Sequence, residues 1–486
     1  MSSEWLMASI LCAPFLGALL IAVSGRWERL RDVIVLMVPL ILLALVAQLL
    51  LLVPEEQPHL LLGEIMPGLN LYFEAEPLGV LFAGVAALLW PVASLYSIGY
   101  LRGNQEKNQT RFHACFALSL GGAMGVAMAG NLLTLFAAYE LLTLATYPLV
   151  VHKGDDKAMQ GGRIYLGFLL FSSIGLFLPA ILWIWQLAGT LDFTPGGVLG
   201  QVELDERLLA LLLLLSSYGI GKAALMPMHR WLPAAMVAPT PVSALLHAVA
   251  VVKAGVFSVI KVMVYIFGSD RLASLAASDW VFGIAAATIV IASLIALRQD
   301  NLKRRLAYST VSQLSYVVMG VFILAPLSLA GAALHVAAHA FGKITLFFAA
   351  GSIYTASHKT EISQLNGIGW QMPWTMAAFS IGALSMIGIP PLAGFLSKWY
   401  LLLGAWQTEH TMAMLVIILS TLLNTAYFVP ILHAAWFRPA TEEQQHGEAP
   451  AAIVISLVFT ALLTLTLFLW TEVPLKLIAA IPGVAL

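Results

Sequence analysis

Residues 208–221 read LLALLLLLSSYGIG, and residues 451–470 read AAIVISLVFTALLTLTLFLW. A membrane β-strand alternates between apolar and polar residues, and neither run does so. Because hydrocarbon offers the backbone no hydrogen-bond partners, a long apolar run of this kind crosses a membrane as a helix. The two runs therefore predict an all-α polytopic membrane protein.

The composition of the whole chain agrees with these runs. Its 486 residues are 60% hydrophobic and 10% charged, with a mean hydropathy of +0.91. A soluble chain of this length could not cover its surface with so few charges. The net charge of -1 gives no basic surface for nucleic acid, so no nucleic-acid partner is predicted. Cys12 and Cys115 stand apart without a CxxC spacing, which excludes an iron–sulfur motif or a disulfide framework.

Apolar stretches of spanning length recur along the chain, and fourteen spans are predicted. They lie at about 5–24, 33–53, 78–99, 113–130, 132–151, 164–188, 208–228, 241–267, 280–297, 306–324, 331–356, 375–404, 411–436 and 451–470. The first stretch opens with Glu4 rather than a basic region, so we expect a retained helix, not a cleaved signal. No linker rich in proline, serine or charge separates a second domain, and residues 1–486 are interpreted as one membrane domain.

Lysine and arginine are unevenly divided between the loops. Sixteen lie in loops after odd-numbered spans, whereas loops after even-numbered spans and the C-terminal end hold only Arg207, Arg271 and Lys476. The stretch between the second and third spans has no basic residue and carries Glu55, Glu56, Glu64, Glu74 and Glu76. Since cytoplasmic loops hold the excess of positive charge, both termini are expected to face outward.

Charged residues also occur inside the predicted spans. Five lysines do so, namely Lys222, Lys253, Lys261, Lys343 and Lys398. A lysine near the bilayer centre costs about 2.5–3.5 kcal/mol on insertion scales, so a functional role is the default interpretation. Lys261 lies late in its span, and extension of its side chain to the interface is an equal alternative. Glu140 is flanked by apolar and small residues and needs a cationic partner. A structural ion pair is a simpler interpretation of such a residue than a functional role.

Histidines accompany these lysines. His247 lies six residues before Lys253, while His335, His339 and Lys343 follow one another at intervals of four residues. That spacing puts the last three on one face of a helix. A single histidine in a helix is usually a satisfied core residue, but imidazole and amine groups in a row can exchange protons near neutral pH. The stripe therefore favours a proton relay.

Proline and glycine interrupt two spans. MPMHRWLPAAMVAPTP at 226–241 follows Lys222, and MIGIPPLAGF at 386–395 precedes Lys398. Broken helices at membrane depth are tolerated where they line a wet cavity or the protein interior. The breaks fall in the seventh and twelfth spans, five apart, and so predict two inverted five-helix repeats at 113–267 and 280–436.

Five segments carry a resemblance to a known family. They are FAAYELLTLATYPLV (136–150), GIGKAALMPMHRWLPAAMVAPTPVSALLHAVAVVKAGVF (219–257), LRQDNLKRRLAYSTVSQLSYV (297–317), LHVAAHAFGKITLFFAAGSI (334–353) and GIPPLAGFLSKWYLLLGAW (388–406). These segments resemble the proton-translocating antiporter-like subunits shared by respiratory complex I, membrane-bound hydrogenases and Mrp-type cation/proton antiporters. Within that family the chain is most similar to the D-type subunit of the Mrp-type antiporters.

The resemblance implies a role for each buried charge. Glu140 in the fifth span and Lys222 in the broken seventh would form the central pair, and Lys253, with His247 beside it, would connect them onward. The relay of the eleventh span would be His335, His339 and Lys343, and Lys398 in the broken twelfth span would be its last residue. Gly342 stands where a bulkier residue is expected and would leave room for water.

The resemblance also implies a function, a location and partners. The chain would be the proton-translocating subunit of a multisubunit cation/proton antiporter in a bacterial inner membrane, moving H+ against Na+ or K+ beside sister membrane subunits. The alternative is the proton-pumping membrane subunit of an NADH:quinone oxidoreductase or a membrane-bound hydrogenase. Both remain open at this point, because the two kinds of complex share this membrane core.

Other chemistries find less support in the sequence. A haem protein usually takes one histidine from each of two helices, whereas His335 and His339 share one face. A zinc site lacks a cluster of cysteines or carboxylates near them. No catalytic residue, cofactor site or nucleotide, flavin or quinone signature is predicted, so redox catalysis by this chain alone is not expected. A scaffold with an inactive relay stays open.

Overall fold

The computed structural model describes residues 2–53, 56–66, 68–440 and 447–484, so Glu55 lies outside the described residues. The helices up to the first break are α1 (Ser3–Val23), α2 (Glu28–Leu52), α3 (Pro77–Gly103), α4 (Gln109–Ala127), α5 (Leu132–Val150), α6 (Asp156–Ala188) and α7 (Glu206–Gly219). Those that follow are α8 (Thr240–Phe267), α9 (Ala277–Leu297), α10 (Leu302–Phe322), α11 (Pro326–Ser357), α12 (Pro373–Ile387), α13 (Ala393–Gln407), α14 (Thr411–Phe437), α15 (Ala451–Leu469) and α16 (Glu472–Ala479).

Long apolar helices dominate the structure. Within the described residues, ten helices are long and apolar enough to cross a membrane, which confirms a polytopic helical protein. The predicted spans outside these ten are α4, α10 and the two that carry breaks. The broken twelfth span is divided into α12 and α13, of 15 residues each, because Gly388 adopts a φ of 95° that ends the first helix.

A β-hairpin interrupts the helical pattern between α2 and α3. Strands β1 (His59–Met66) and β2 (Leu69–Glu74) pair antiparallel, with register shifts near Gly63 and Met66. The sequence LNLYFE of β2 alternates apolar and polar residues, which is the strand pattern. The hairpin is a departure from the all-α prediction. It lies in the loop between the second and third predicted spans, which holds too few consecutive apolar residues to span a membrane.

The centre of the protein is formed by α8 and α11. A spanning-length window is 100% buried in each of these helices, compared with 33% in α2. Polar side chains on α8 and α11 therefore face protein rather than lipid, which is where intramembrane charges are tolerated.

The loops meet in two groups. Loops after predicted odd-numbered spans contact one another through Arg31 and Thr110, Lys303 and Ala238, and Trp374 and Glu448. On the opposite side, the structure's connections after predicted even-numbered spans contact one another through Glu74 and Met128, Phe193 and Gly130, and Arg271 and Leu204, with Met128 and Gly130 lying between α4 and α5. A chain that crosses a layer repeatedly brings alternate loops to the same face. We call the two groups the basic face and the acidic face.

Glycines allow close backbone contacts at both breaks. A Cβ at Gly255 of α8 would lie 2.3 Å from the carbonyl carbon of Lys222, in the break after α7. A Cβ at Gly394, at the start of α13, would lie 1.7 Å from the carbonyl oxygen of Ser385 at the end of α12. Any larger residue would push these backbone segments apart, since backbone cannot rotate away as a side chain can.

We expect Gly255→Ala to destabilise the protein by about 1–3 kcal/mol, the usual cost of an overpacked core. Gly283→Ala on α9 is the matched control, because no atom lies within 4 Å of a Cβ there. Thermal unfolding of each detergent-purified variant, monitored by size-exclusion chromatography, would give the two unfolding midpoints to be compared. Equal midpoints for the two variants would contradict the close contact at Gly255.

Candidate functional site

Four lysines lie in the helical core, between 0% and 6% exposed: Lys222, Lys253, Lys343 and Lys398. Within the described part of the chain, none of the four forms an ion pair with a carboxylate. Each ammonium group instead contacts carbonyl, hydroxyl or imidazole groups. A buried charge with neutral acceptors remains able to give up its proton without leaving an opposite charge unpaired.

Lys222 is placed by the break after α7. The backbone turns through Gly221–Ala223, which brings the side chain against α5. Its Nζ donates hydrogen bonds to the carbonyl oxygen of Tyr139 at 2.7 Å and to Thr143 Oγ1 at 2.6 Å, and it lies 3.1 Å from the centroid of the Tyr139 ring. The backbone N–H of Lys222 donates to the Tyr139 hydroxyl at 2.9 Å. Two residues of α5 therefore fix both the backbone and the ammonium group.

Glu140 follows Tyr139 on α5 but does not pair directly with Lys222. Both of its carboxylate oxygens are buried and have no hydrogen-bond partner among the described residues. Glu140 is partly buried, and its place on the helix lies between the side of Thr143, three residues later, and the outer side that carries Leu144, four residues later. Leu141 is 40% exposed and Leu144 is 57% exposed. The charges of Glu140 and Lys222 interact at longer range than a direct ion pair.

Lys253 and His339 join the two central helices. Lys253 Nζ on α8 lies 2.5 Å from Nδ1 of His339 on α11, within hydrogen-bond distance. The ring of His339 is 5.7 Å from the ring of His335, one turn earlier on α11. His335 Nδ1 in turn lies 2.8 Å from Ser397 Oγ on α13. A line of polar groups thus crosses from α8 through α11 to α13.

Lys398 lies at the end of this line, next to Ser397. Its Nζ donates to the carbonyl oxygens of Met386 and Ile387, both at 2.9 Å. These carbonyls belong to the last turn of α12, where the unpaired C=O groups of a helix carry partial negative charge. The ring of Tyr316 stacks on His335 and lies 5.2 Å from Lys398 Nζ. The break in the twelfth span therefore supplies the anionic environment of Lys398 without a carboxylate.

Lys343 and His247 lie beside this line. Lys343 Nζ donates to the carbonyl oxygen of Leu306 at 3.2 Å and to Ser309 Oγ, both on α10. Neither ring nitrogen of His247 has a hydrogen-bond partner among the described residues, and its ring lies 4.6 Å from that of Phe347. The line of contacts thus leads from Lys253 through the two histidines of α11 to Ser397, the neighbour of Lys398 in the chain.

The packing bears on two expectations. A Cβ at Gly342 would lie 2.5 Å from Met386 Cε, so a methionine side chain occupies the space in which water was expected. Lys261 extends to the level of the loops at the acidic face, but its side chain is enclosed by protein, 1% exposed, and pairs with Glu76 at 2.7 Å. Neither partner could be found from the spacing of these residues along the chain.

Sequence reasoning missed the neutral groups that contact the buried lysines and histidines. These are Tyr139, Thr143, Ser309 and Tyr316 for the lysines and Ser397 for His335. Serine and threonine in helices commonly bond to a carbonyl of their own preceding turn, so their presence does not mark a site. The sequence did contain one indication of these groups. Every buried ammonium group needs hydrogen-bond acceptors nearby, so each intramembrane lysine predicts polar partners in the folded protein.

We expect Thr143→Val to destabilise the protein by about 1.5–3 kcal/mol, the usual value of a hydrogen bond to a charged group. Valine keeps the volume of the side chain but cannot accept the bond from Lys222. Thr143→Ser, which retains the hydroxyl, is the control and should unfold near the wild-type temperature. An unchanged unfolding midpoint for Thr143→Val would show that this contact does not hold Lys222.

Comparison with known proteins gives one consistent result. The family described as NADH:quinone oxidoreductase/Mrp antiporter, TM, matches residues 129–424. The chain is 34% identical over 379 residues to the N-type subunit of the NADH-quinone oxidoreductase of Desulforudis audaxviator, covering 76% of this chain and 72% of that protein. It is 27% identical over 408 residues to the D-type subunit of the Na(+)/H(+) antiporter of Alkalihalophilus pseudofirmus, covering 84% and 82%.

A solved structure is similar along almost the entire chain. A chain of the Mrp complex from Dietzia sp. DQ12-45-1b superposes with a TM-score of 0.88 at 20% identity, covering 99% of this chain and 97% of that one. At this identity the likeness is one of fold.

Proposed function

This chain belongs to the NADH:quinone oxidoreductase/Mrp antiporter transmembrane family, and on that premise we propose that it is the proton-translocating subunit of a multisubunit monovalent cation/proton antiporter. The observation that carries the proposal is the line of contacts from Lys253 through His339 and His335 to Ser397, beside Lys398. Such a line needs no cofactor, because every member is a group that can hold or pass a proton.

The proton moves along this line by local exchange. The ammonium of Lys253 gives a proton to Nδ1 of His339, which leaves a neutral amine on α8 and an imidazolium on α11. The proton then passes to His335 and, through the hydroxyl of Ser397, toward Lys398. Because neighbouring cations repel each other, the line holds one extra proton at a time. A proton on one lysine or histidine therefore lowers the proton occupancy of the next.

Transfer between Lys222 and Lys253 is the gated step of this mechanism. The Lys222 ammonium is held on α5 by Tyr139 and Thr143, and the hydrogen-bond partner of Lys253 is His339 on α11. It must release these acceptors, by rotation of the side chain or exchange with water, before its proton can reach α8. The charge of Glu140, which stabilises the ammonium form, controls this release.

Sister membrane subunits are the proposed partners at the lateral surface around α5 and α6. Apolar side chains there point outward, among them Leu144, Phe171 and Leu182, each more than half exposed. Glu140 lies on the same helix as Leu144, and its carboxylate has no hydrogen-bond partner in the part of the chain that the structure describes. A cation on a neighbouring subunit would complete the site and would connect the relays of two subunits.

The finer topology is part of the proposal. Fourteen spans with two inverted five-helix repeats, 113–267 and 280–436, are supported by the contacts of alternate loops at the two faces and by breaks five spans apart. The excess of lysine and arginine on the basic face supports a cytoplasmic position for that face, with both termini outward, in the bacterial inner membrane. H+ would be exchanged for Na+ or K+.

A respiratory pump is the second candidate. The 34% identity with an N-type subunit of NADH-quinone oxidoreductase favours it, and the same relay would serve. In that case redox chemistry in other subunits would supply the energy, and this chain would carry only the protons.

We expect Lys222→Ala to abolish proton flux in inverted membrane vesicles that contain the intact complex, because the gated site loses its exchangeable proton. A pH-sensitive dye would record the flux after addition of Na+, K+ or NADH. Lys476→Ala is the control, since that lysine is 73% exposed and pairs only with Glu472. Flux evoked by a cation supports the antiporter, flux evoked only by NADH supports the pump, and normal flux in Lys222→Ala contradicts both.

Ser397→Ala should lower the flux at least about tenfold, because it removes the hydroxyl that links His335 to the region of Lys398; positioned proton transfer commonly contributes at least 10²-fold. Ser357→Ala on α11 is the control, because that hydroxyl bonds only to the carbonyl of Ile353 in its own helix. The same dye assay compares the two. Wild-type flux in Ser397→Ala would remove α13 from the pathway.

A further inference from the structure

A second buried charge cluster lies at the acidic face, apart from the relay described above. Lys261 Nζ on α8 is 2.7 Å from Oε1 of Glu76, the residue that precedes α3, and it donates to the carbonyl oxygen of Ala129 at 2.6 Å. Lys261 is 1% exposed and Glu76 is 7% exposed. The ring of Phe193 covers the ammonium at 4.5 Å from its centroid. Four segments of the chain thus meet on one ion pair.

The cluster lies on the same helix as the relay. Lys253 and Lys261 are eight residues apart on α8, which is about 12 Å along the helix axis. Ser258 lies between them, and its hydroxyl is fully buried without a hydrogen-bond partner among the described residues. An unpaired hydroxyl at this position can accept one proton and donate its own, which is what a link between two lysines requires.

Further carboxylates lead from the ion pair to the surface. Glu74 ends β2, and burial raises the pKa of its carboxyl, with Glu76 and Asp192 raising it further while Lys261 and His59 lower it. Tyr265 of α8 interacts electrostatically with both Glu74 and Glu76. Glu74 interacts with both members of the pair and Tyr265 interacts with Glu76, while Asp192 and His59 interact with Glu74, whose raised pKa means that it accepts a proton more readily than an exposed glutamate does.

A purely structural ion pair would be expected to look different. The chain holds such a pair at the basic face, where Asp32 accepts hydrogen bonds from Arg31 and Arg102. Arginine keeps its charge at any accessible pH and forms rigid, planar contacts. At the acidic face the partner is a lysine, which can lose its proton, and it lies on α8, the helix that also carries Lys253 of the relay.

We propose that Lys261 and Glu76 form the port through which protons pass between the relay and the acidic face, an inference that rests on the proposed function. The ammonium of Lys261 gives a proton to the carboxylate of Glu76, which leaves an amine and a carboxylic acid. Glu76 releases that proton through Glu74 to water, and the amine regains one from Lys253 by way of Ser258. Burial disfavours separated charges, so this internal neutralisation costs less here than in water. Movement in the opposite direction uses the same steps reversed.

The decisive variant is Lys261→Arg in the intact complex. Arginine keeps the positive charge and the ion pair with Glu76 but does not release its proton, so a structural role is preserved and a port is closed. We expect cation- or NADH-driven proton flux in inverted vesicles to fall at least tenfold, with normal assembly on size-exclusion chromatography. Wild-type flux in an assembled Lys261→Arg complex overturns the port.

A second variant covers failure of the first to assemble. Glu76→Gln keeps an acceptor for Lys261 but cannot take up the proton, and it should lower the flux by a similar factor; an assembled Glu76→Gln complex with wild-type flux also overturns the port. Asp32→Asn, which breaks the buried pair at the opposite face, is the matched control and should leave the flux of the assembled complex within about twofold of wild type.

The failure of the port is distinguishable from the failure of the proposed function. Lys253→Arg in the same vesicles blocks the relay before it reaches Lys261 and Glu76. If this variant loses the flux while Lys261→Arg and Glu76→Gln keep it, protons leave the relay elsewhere, and only the port is wrong. If the wild-type complex shows no flux with any cation or NADH, the proposed function itself is wrong.

Discussion

Four ammonium groups buried without a carboxylate are the constraint to which the rest of this structure responds. An isolated charge inside a low-dielectric interior is costly unless several hydrogen-bond acceptors surround it. Acceptors are available where a helix ends, where a hydroxyl or imidazole side chain faces the lysine, and at helix carbonyl groups whose second lone pair is free, such as those of Tyr139 and Leu306. The C-terminal turn of α12 provides them for Lys398, and the Tyr139 and Thr143 pair on α5 provides them for Lys222.

This constraint explains why the two breaks and the central helices belong together. A break frees carbonyl groups and turns the chain sharply, which exposes polar backbone that lipid could not satisfy. Complete burial of α8 and α11 encloses that backbone, and Gly255 lets α8 approach the first break closely enough to exclude lipid. The packing of the core and the chemistry of the lysines are therefore two aspects of one arrangement.

The buried charges differ in what they can do. Asp32 is held by two arginines at the basic face, where a permanent charge network ties the ends of α2 and α3 together. The charges of α8 and α11 are lysines and histidines, which exchange protons, and apart from Lys261, which pairs with Glu76, those with hydrogen-bond partners contact neutral groups. Arginines, whose charge is permanent, thus fasten the loops at the basic face, whereas exchangeable charges occupy the two buried central helices.

The sequence by itself determined the helical membrane class, the position of both breaks and the residues that bear charge in the interior. These follow from local rules, because apolar length, proline and glycine act within a single helix. The hairpin between α2 and α3, the line from Lys253 to Ser397 and the pairing of Lys261 with Glu76 were decided only by the tertiary structure. The contacts that join different helices in the line, and the ion pair, connect residues 62 to 185 positions apart along the chain. Helical periodicity states which face a side chain occupies but not which distant group meets it.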